Sequence, residues 1–281
     1  MRIYATCICV TVSLVAIGAF AAEPKTIDEL KEHFSSVSDA KDSFTADYTI
    51  TMDVAAAKPS PDPVDAMAKG GKIIVRGESM WMSMSMIQLE DNPAFNVVYT
   101  GVINGDNIMH MQVTTPTSAV PPMRMNMGSL NTLAKKLGVP FGVPAAALNS
   151  EEMSAGLMIN PTRILDSLGA MYDLKLAGKE TLKGEEVYVI ESRMKPETLE
   201  KYKKNPEWQW MFDVEQKIYL GVNDGVLRKM TSGGTKSMEL SNINFGARID
   251  DSDFTLKIAE GTEEIDMTNE LLESFSEMAD Q

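Results

Sequence analysis

The sequence predicts an α+β fold that is mainly β, in which helices cover an antiparallel sheet. Three observations support this prediction. Apolar residues recur at every second position through much of the chain, which is typical of half-buried strands. Tight-turn residues such as NDG at 223–225 and SGG at 232–234 separate consecutive strands and favour antiparallel pairing. Two segments with helical periodicity, 26–37 and 161–172, supply the cover.

The N-terminal segment 1–22 is typical of a cleavable export signal. Arg2 precedes an apolar stretch over 3–17, and the small-residue segment AFAA follows at 19–22. The stretch is too short for a spanning helix. Cleavage after Ala22 would remove Cys7 and Cys9, the two cysteines of the chain, so we expect no disulfide. We therefore expect a periplasmic protein whose residues 23–281 form a single domain.

The charge of the chain excludes one class of partner. Removing the signal takes away one cation, Arg2, and no acid, so the formal charge of −14 becomes more negative still. A chain of this charge is a poor ligand for nucleic acid or for an anionic bilayer. We expect a monomer that does not bind nucleic acid.

The first half of the mature chain begins with a helix and continues as strands. Thr26 and Glu29 have capping-box spacing at the start of the helix over 26–37. A strand is predicted over 43–54, followed by a proline-rich break at 59–63. Further strands are predicted at about 71–77, 79–88, 95–103 and 107–114, and the turn residues Asn104 and Gly105 join the last two.

The pattern changes between 116 and 160. This stretch is rich in proline, glycine and alanine, has no strand alternation and contains a short helical stretch near 130–137. We interpret it as an irregular, lid-like insertion. Asn160 and Pro161 then have the N-cap and first-turn positions of the helix over 161–172. Strands are predicted at about 173–179, 185–193, 208–220, 226–231 and 236–245, with a final helix at about 269–278.

Methionines are concentrated on predicted strands. The segment MWMSMSM at 80–86 places its four methionines on one strand face, and the same alternation returns at Met109 and Met111 and in MRMNM at 123–127. These could be ordinary core residues, but unbranched, polarizable methionine suits a surface that accepts variable apolar shapes. We predict a ligand cavity lined by Tyr48, Ile50, Met52, Met80, Met82, Met84, Met86, Met109 and Met111.

A copper site is an alternative interpretation of the same residues. Thioether sulfur is a soft ligand for Cu(I), and His110 lies between Met109 and Met111. Strand geometry opposes this, because His110 should point to the face opposite its two neighbours. The segment 123–127, predicted as irregular, escapes that objection.

Other kinds of site have little support in the sequence. His33 and His110 are the two histidines of the chain, which excludes zinc clusters and Cys/His nucleophilic catalysis. No GxSxG, P-loop or GxGxxG motif occurs. Asp250, Asp251 and Asp253 could contact calcium but lack a full ligand spacing, which favours a solvated turn. We expect no metal, no cofactor and no enzymatic activity.

Four segments follow one another in a characteristic order. An N-terminal helix leads into SFTADYTITM (43–52), and GGKIIVRGESMWMSM (70–84), NGDNIMHM (104–111) and DDSDFTLKIAEGTEEIDM (250–267) come after it. In this order the chain resembles the LolA/LolB superfamily of periplasmic lipoprotein carriers, which includes LppX-like and RseB-like proteins. The four segments are similar to the family's first strand, to its second and third strands, to its hairpin and to its closing segment, a strand followed by a turn.

The resemblance implies an incomplete antiparallel β-barrel, a curved sheet whose concave face is covered by helices and binds acyl chains of a lipoprotein or another lipid. It implies transfer towards the outer membrane, from an inner-membrane donor complex to an outer-membrane acceptor. It also implies that Arg76, the nearest match to an arginine of the second strand, contacts the helical lid. An RseB-like sensor that uses the same cavity to regulate a protein partner is the alternative within the family.

Overall fold

The computed structural model describes residues 23–37, 43–52, 66–77, 79–88, 96–103, 108–114, 120–129, 132, 160–203, 215–233, 236–258 and 260–279. The predicted export signal, the 104–105 turn and most of the 116–160 insertion, including the helical stretch near 130–137, lie outside these residues.

Most of the described chain forms strands. They are β1 (Ser43–Met52), β2 (Ala66–Arg76), β3 (Ser79–Gln88), β4 (Asn96–Ile103), β5 (Ile108–Thr114), β6 (Met123–Asn126), β7 (Tyr172–Leu182), β8 (Glu185–Met194), β9 (Glu215–Gly221), β10 (Leu227–Ser232), β11 (Lys236–Asn244) and β12 (Ile265–Asp266). The helices are α1 (Ile27–Val37), α2 (Pro161–Met171), α3 (Pro196–Lys203) and α4 (Thr268–Ala279), and a 3-10 turn spans Asp251–Phe254. No helix of the described residues is long and apolar enough to cross a membrane.

All these strands belong to one sheet with the order β12-β6-β5-β4-β3-β2-β1-β11-β10-β9-β8-β7. Every pairing is antiparallel except that of β12 with β6, which is parallel. The sheet is curved, and its first and last strands do not meet. The predicted fold class, an incomplete antiparallel β-barrel that is mainly β, is therefore confirmed.

Short turns set the register of the hairpins. Leu182 pairs with Glu185, so that Lys183 and Gly184 form a two-residue loop between β7 and β8. Both loop residues have positive φ, 51° and 89°, as a type I′ turn requires. A loop of this kind keeps β7 and β8 in one register, and therefore determines which side chains of both strands face the helices.

The ends of α1 and α2 follow the predicted capping signals. The Thr26 hydroxyl accepts a hydrogen bond from the Glu29 backbone N–H at 3.2 Å, and the Glu29 carboxylate accepts one from the Lys25 N–H at 2.6 Å. At α2 the Asn160 side chain accepts from the Arg163 N–H at 3.1 Å. These bonds satisfy N–H groups that a helix start otherwise leaves without a partner.

The core lies between these two helices and one face of the sheet, which we call the inner face. Leu30 and Phe34 of α1 and Leu165 of α2 are fully buried. The sheet residues of the same cluster come from seven strands: Phe44, Ala46, Tyr48, Ile73, Val75, Tyr172, Tyr188, Ile190, Met194, Ile218, Leu220, Leu227 and Leu240. Lys31 and Asp166 connect the two helices by an ion pair of 2.6 Å. The helices thus cover the inner face around β1, β2, β8 and β9.

Three elements differ from the sequence predictions. Residues 123–126, predicted as irregular, form strand β6, because β5 pairs with them on one side and β12 on the other. The family's closing strand is here the 3-10 turn around Phe254 followed by extended chain and the two-residue β12. Helix α3 follows Lys195, in a part of the chain for which no helix was predicted.

Candidate binding face

The register of β2 and β3 places the first methionines on the inner face. Met80 pairs with Val75, and Met82 pairs with Ile73. Directly paired residues of antiparallel strands project to the same side of the sheet. Val75 and Ile73 are buried beneath the helices, and both methionines pack against that cluster while remaining half-buried.

Two rows of side chains continue this face outward across β4, β5 and β6. The first row runs through Met82, Gly101, Met111 and Met123, and the second through Met80, Ile103, Met109 and Met125. We call the six methionines of these rows the methionine face. All six are half-buried. Neighbouring strands are about 4.8 Å apart, so the thioethers of β5 and β6 lie side by side.

Met123 and Met125 were not among the cavity residues predicted from the sequence. Their alternation was visible, but they stood in a segment predicted to be irregular. The pairing of Met109 with Met125 and of Met111 with Met123 brings them into the sheet. The candidate face is therefore one strand wider than the sequence indicated.

Gly101 leaves a gap in the first row, between Met82 and Met111. A Cβ atom placed on Gly101 would lie 3.4 Å from the terminal methyl carbon of Met109. The flexible Met109 side chain therefore lies over the glycine. A larger residue at this position would displace Met109 and change the depth of the face.

Tyr48 is a core residue in this structure. It is 5% exposed, and its hydroxyl crosses Gly71 to donate a hydrogen bond of 2.8 Å to the Ser83 carbonyl. The absence of a side chain at Gly71 permits this crossing, since a Cβ there would meet the Ser83 carbonyl oxygen at 1.7 Å. Burial raises the pKa of Tyr48. The phenol thus ties β1 to β3 beneath the helices.

The other predicted cavity residues occupy inner-face strand positions. Ile50 is half-buried, packs against the core and pairs with Met238. Met84 and Met86 pair with Gly71 and Ala68 and continue the alternation of β3. Met52 is the last residue of β1. The side chains of Met52, Met84 and Met86 lie outside the described part of the structure, so their contribution to a cavity stays a prediction.

Arg76 lies on the opposite, outer face of the sheet. It pairs with Ser43 and Ser79, one residue out of phase with the methionine rows. Its guanidinium donates to the Ile249 carbonyl at 2.9 Å, forms an ion pair with Asp251 and lies 5.1 Å from the Phe254 ring centroid. These partners belong to the C-terminal part of the chain and not to α1 or α2. The lid contact that the resemblance implies for Arg76 therefore stays a prediction.

His110 also lies on the outer face, as strand geometry predicted. It pairs with Val102 and Arg124, and its Nδ1 is 2.8 Å from a carboxylate oxygen of Glu264. The imidazole therefore points away from Met109 and Met111. A copper site that combines this histidine with its two methionine neighbours is excluded by that direction.

The C-terminal residues 249–258 and 260–267, which we call the strap, contact outer-face side chains behind the methionines and end with β12, which pairs with β6 at the sheet edge. Arg76 and Arg124 hold the strap by ion pairs with Asp251 and Asp266, respectively, and His110 contacts it through the hydrogen bond with Glu264. Hydrogen bonds from Thr268 and the charge of Arg124 lower the pKa of Asp266.

The acidic run at the start of the strap is a turn. Asp250 and Asp253 cap the 3-10 turn, with the Asp250 N–H donating to the Asp253 carboxylate at 2.8 Å. No group of three or more His, Cys, Asp or Glu side chains in the described residues has the geometry of a metal site. The interpretation of this run as a turn agrees with the capping contacts of Asp250 and Asp253.

A groove of about 540 Å³ that includes several charged side chains lies across β7 to β10. Its charged residues alternate in sign across the strands: Asp173, Lys175, Glu191, Arg193, Glu215 and Lys217. Lys217 and Glu191 form an ion pair of 3.2 Å. Cross-strand pairs of this kind contribute modestly to sheet stability. We interpret the groove as a solvated sheet surface rather than as a site for an apolar ligand.

No protein-family model and no curated protein matches the chain. Among solved structures, the lipoprotein LppX of Mycobacterium tuberculosis is 12% identical, covering 78% of this chain and 95% of its own, with a TM-score of 0.38. LprF of Mycobacterium bovis is 11% identical, covering 81% and 97%, with a TM-score of 0.39. MucB in complex with MucA(peri) is 10% identical, covering 82% and 59%, with a TM-score of 0.31.

LppX-like proteins are among those that the sequence resemblance names. Similarities at these TM-scores carry no conclusion about function. The proposals below rest on the contacts of this chain.

Proposed function

We propose that the protein is an exported carrier that binds an acyl chain of a lipoprotein or another lipid on the methionine face. In this proposal the protein moves its cargo across the periplasm, from an inner-membrane donor to an outer-membrane acceptor. The observation that carries the proposal is the pair of methionine rows on the inner face of β3 to β6.

The choice of residue supports a binding surface. A sheet interior that is permanently closed is packed best by β-branched side chains, which have few rotamers and specify one arrangement. Methionine is unbranched and polarizable, and it adapts to partners of irregular shape. Six such side chains that are only half-buried form a surface that an apolar ligand would cover further.

The energetics favour an acyl chain as that ligand. At about 0.8 kcal/mol per methylene, a 16-carbon chain loses about 12 kcal/mol when it is exposed to water. The two rows consist of methionine, isoleucine and glycine, so they offer no charged group to a lipid head. We therefore expect recognition through the tail, with little selection among head groups.

The proposal describes a binding protein rather than an enzyme. Acid–base or nucleophilic catalysis needs a reactive side chain within hydrogen-bond reach of the ligand. His110 points to the outer face and is engaged by Glu264, and the Tyr48 hydroxyl is engaged by the Ser83 carbonyl. Neither group projects from the methionine rows.

The first test is binding of a fluorescent fatty acid, dansyl-undecanoic acid, to the purified mature protein. Met111→Asp places a carboxylate in the middle of the first row. We expect its Kd to rise at least about tenfold, since burying an unpaired charge costs more than about 1.4 kcal/mol.

The matched control is Gln112→Asp, which adds the same charge to the next residue of β5 on the outer face. It should bind the probe as the wild type does. Equal losses in both variants, or no loss in a folded Met111→Asp protein, would refute the assignment of the site. Native mass spectrometry of protein purified without detergent should also reveal co-purified lipid.

Cu(I) binding is the second candidate. The cross-strand pairs Met109–Met125 and Met111–Met123 bring thioethers closer together than alternate residues of one strand, which are about 6.6 Å apart. The same samples distinguish the two functions. A protein that carries no lipid, ignores the fatty acid and takes up Cu(I) tightly would replace the carrier proposal.

A further inference from the structure

The methionines whose burial the structure describes fall into two classes. Those of the methionine face are half-buried, whereas Met127, Met171 and Met194 are at most 5% exposed. Oxidants reach a thioether only where the sulfur is accessible to solvent. The two classes should therefore react at different rates.

The predicted mature chain contains no cysteine, since Cys7 and Cys9 lie in the export signal. Thiolates normally react first with peroxides and shield other sulfur groups. In the mature protein the thioethers are then the sulfur groups available to a two-electron oxidant.

We infer that the methionine face is a reversible oxidation site that controls ligand binding. This inference rests on the proposed function of the face. It names a modification, methionine sulfoxide, and a class of oxidant, peroxide.

The chemistry balances in both directions. A thioether sulfur attacks hydrogen peroxide, the O–O bond breaks, an S–O bond forms, and water leaves after proton transfer. The thioether is oxidised by two electrons, and the peroxide is reduced. In the reverse step two thiols supply two electrons and two protons, so the sulfoxide returns to a thioether while a disulfide and water form.

The geometry explains why oxidation would change binding. Sulfoxide replaces an apolar, flexible group with a polar one that requires a hydrogen-bond donor. In the two rows Met109 and Met111 are flanked by methionine, isoleucine and glycine, and none of these residues has a side chain that can donate a hydrogen bond. An acyl chain laid over the face would then bury an unsatisfied oxygen, and each such oxygen should weaken binding by about tenfold.

The order of oxidation is the first measurement. The mature protein is treated with hydrogen peroxide, and sulfoxide is located by tandem mass spectrometry of proteolytic peptides. The tryptic peptide 125–135 carries both Met125, which is half-buried, and Met127, which is 3% exposed. Met125 should be oxidised at least about threefold faster, because oxidation follows exposure. Equal rates would overturn the inference, and this comparison does not depend on any ligand.

The second measurement is binding of dansyl-undecanoic acid before and after oxidation. Its affinity should fall at least about tenfold after oxidation. It should return after treatment with methionine sulfoxide reductases A and B and a dithiol. If the untreated protein does not bind the probe, the proposed function fails. If the untreated and oxidised proteins bind it equally, the present inference fails alone.

Variants assign the effect to the face. Replacing Met109, Met111, Met123 and Met125 with leucine keeps the volume and removes the oxidisable sulfur. The affinity of the variant before peroxide serves as its own reference, and peroxide should not lower that affinity. The matched control, Met230→Leu with Met238→Leu, changes two paired, half-buried methionines of β10 and β11 and should lose affinity like the wild type.

Loss of affinity in the four-leucine variant after peroxide would overturn the inference. If that variant does not fold, a second test measures whether bound probe protects the wild type from oxidation. Saturating probe should slow oxidation of Met125 and leave Met127 unchanged. Equal oxidation of Met125 with and without bound probe would then be the contradicting result.

Discussion

The inner face of the sheet carries different side chains on its two halves. Across β8 and β9 the rows contain Ile190 and Ile218, which are at most 1% exposed, and the half-buried Met230 and Met238 continue them on β10 and β11. Across β3 to β6 the rows contain the methionine face, whose six side chains are half-buried, together with Ile103, which is 5% exposed. On β8 and β9 the first half lies beneath α1 and α2 and packs as a closed core. The second half keeps accessible apolar area and flexible side chains, which are the properties of a binding surface.

The difference teaches that burial, and not hydrophobicity, separates core from candidate site in this sheet. Both halves are apolar and both have alternating strands. Where side chains are closely packed and buried, substitutions should mainly lower the free energy of unfolding. Where side chains are half-buried, substitutions should change the stability of the free protein little and should mainly change its affinity for a ligand.

The largest expected effect compares truncations in the two halves. Ile218→Ala should lower the free energy of unfolding by about 3 kcal/mol, because it opens a cavity in a closed core. Met111→Ala should lower it by about 1 kcal/mol, because the side chain is half-buried and its surroundings can adjust. Urea denaturation measures both. Equal losses would mean that the methionine half is packed as tightly as the other.

The next effect concerns Tyr48, which ties β1 to β3 between the two halves. Tyr48→Phe leaves the Ser83 carbonyl without its donor and should cost about 1 kcal/mol at neutral pH. The raised pKa of Tyr48 means that the folded state holds the phenol proton more tightly than the unfolded state. The protonated Tyr48 phenol therefore contributes fully to the free energy of unfolding below the unfolded pKa of about 10. This contribution is lost as the pH rises above that value.

Urea denaturation at neutral pH and above about pH 10 tests this direction of the pH dependence. The stability gap between the wild type and Tyr48→Phe should narrow in the alkaline range. Tyr219→Phe, on the half-buried Tyr219 of β9, shows what removal of another hydroxyl does under the same conditions. If the difference in stability between the wild type and Tyr48→Phe widened with pH, this would contradict a buried Tyr48 phenol that donates a hydrogen bond.

The smallest expected effect concerns Gly101, which leaves the gap in the first methionine row. Gly101→Val should displace the Met109 methyl group and fill the gap in the first row. Stability should stay level or rise by up to about 1 kcal/mol, because valine suits a strand better than glycine. Affinity for the fluorescent fatty acid should fall by about threefold to tenfold, a cost of about 1 kcal/mol.

Thr100→Val, the preceding residue on the outer face, is the control for this substitution. It places a valine in the same strand without entering the methionine rows. Unchanged binding in Gly101→Val would place the ligand away from the first row.

Much of the local structure was predictable because short-range patterns determine it. The alternation of 80–86 placed its methionines together on one strand face, and the capping residues Thr26 and Asn160 located the starts of α1 and α2. The direction of His110, away from its methionine neighbours, followed from strand periodicity alone. Each of these features depends on residues within a few positions of one another.

The tertiary structure decided which distant segments and side chains these local elements contact. Residues 123–126 become a strand because β5 and β12 pair with them, although proline and irregular sequence surround them. Arg76 finds its partners at Ile249 and Asp251, and no local pattern specifies contacts at that separation. The sequence by itself determined the strand periodicity and the methionine alternation, because these are properties of a segment. Pairing register and burial depend on the whole sheet, so only the tertiary structure assembled six methionines into one half-buried face.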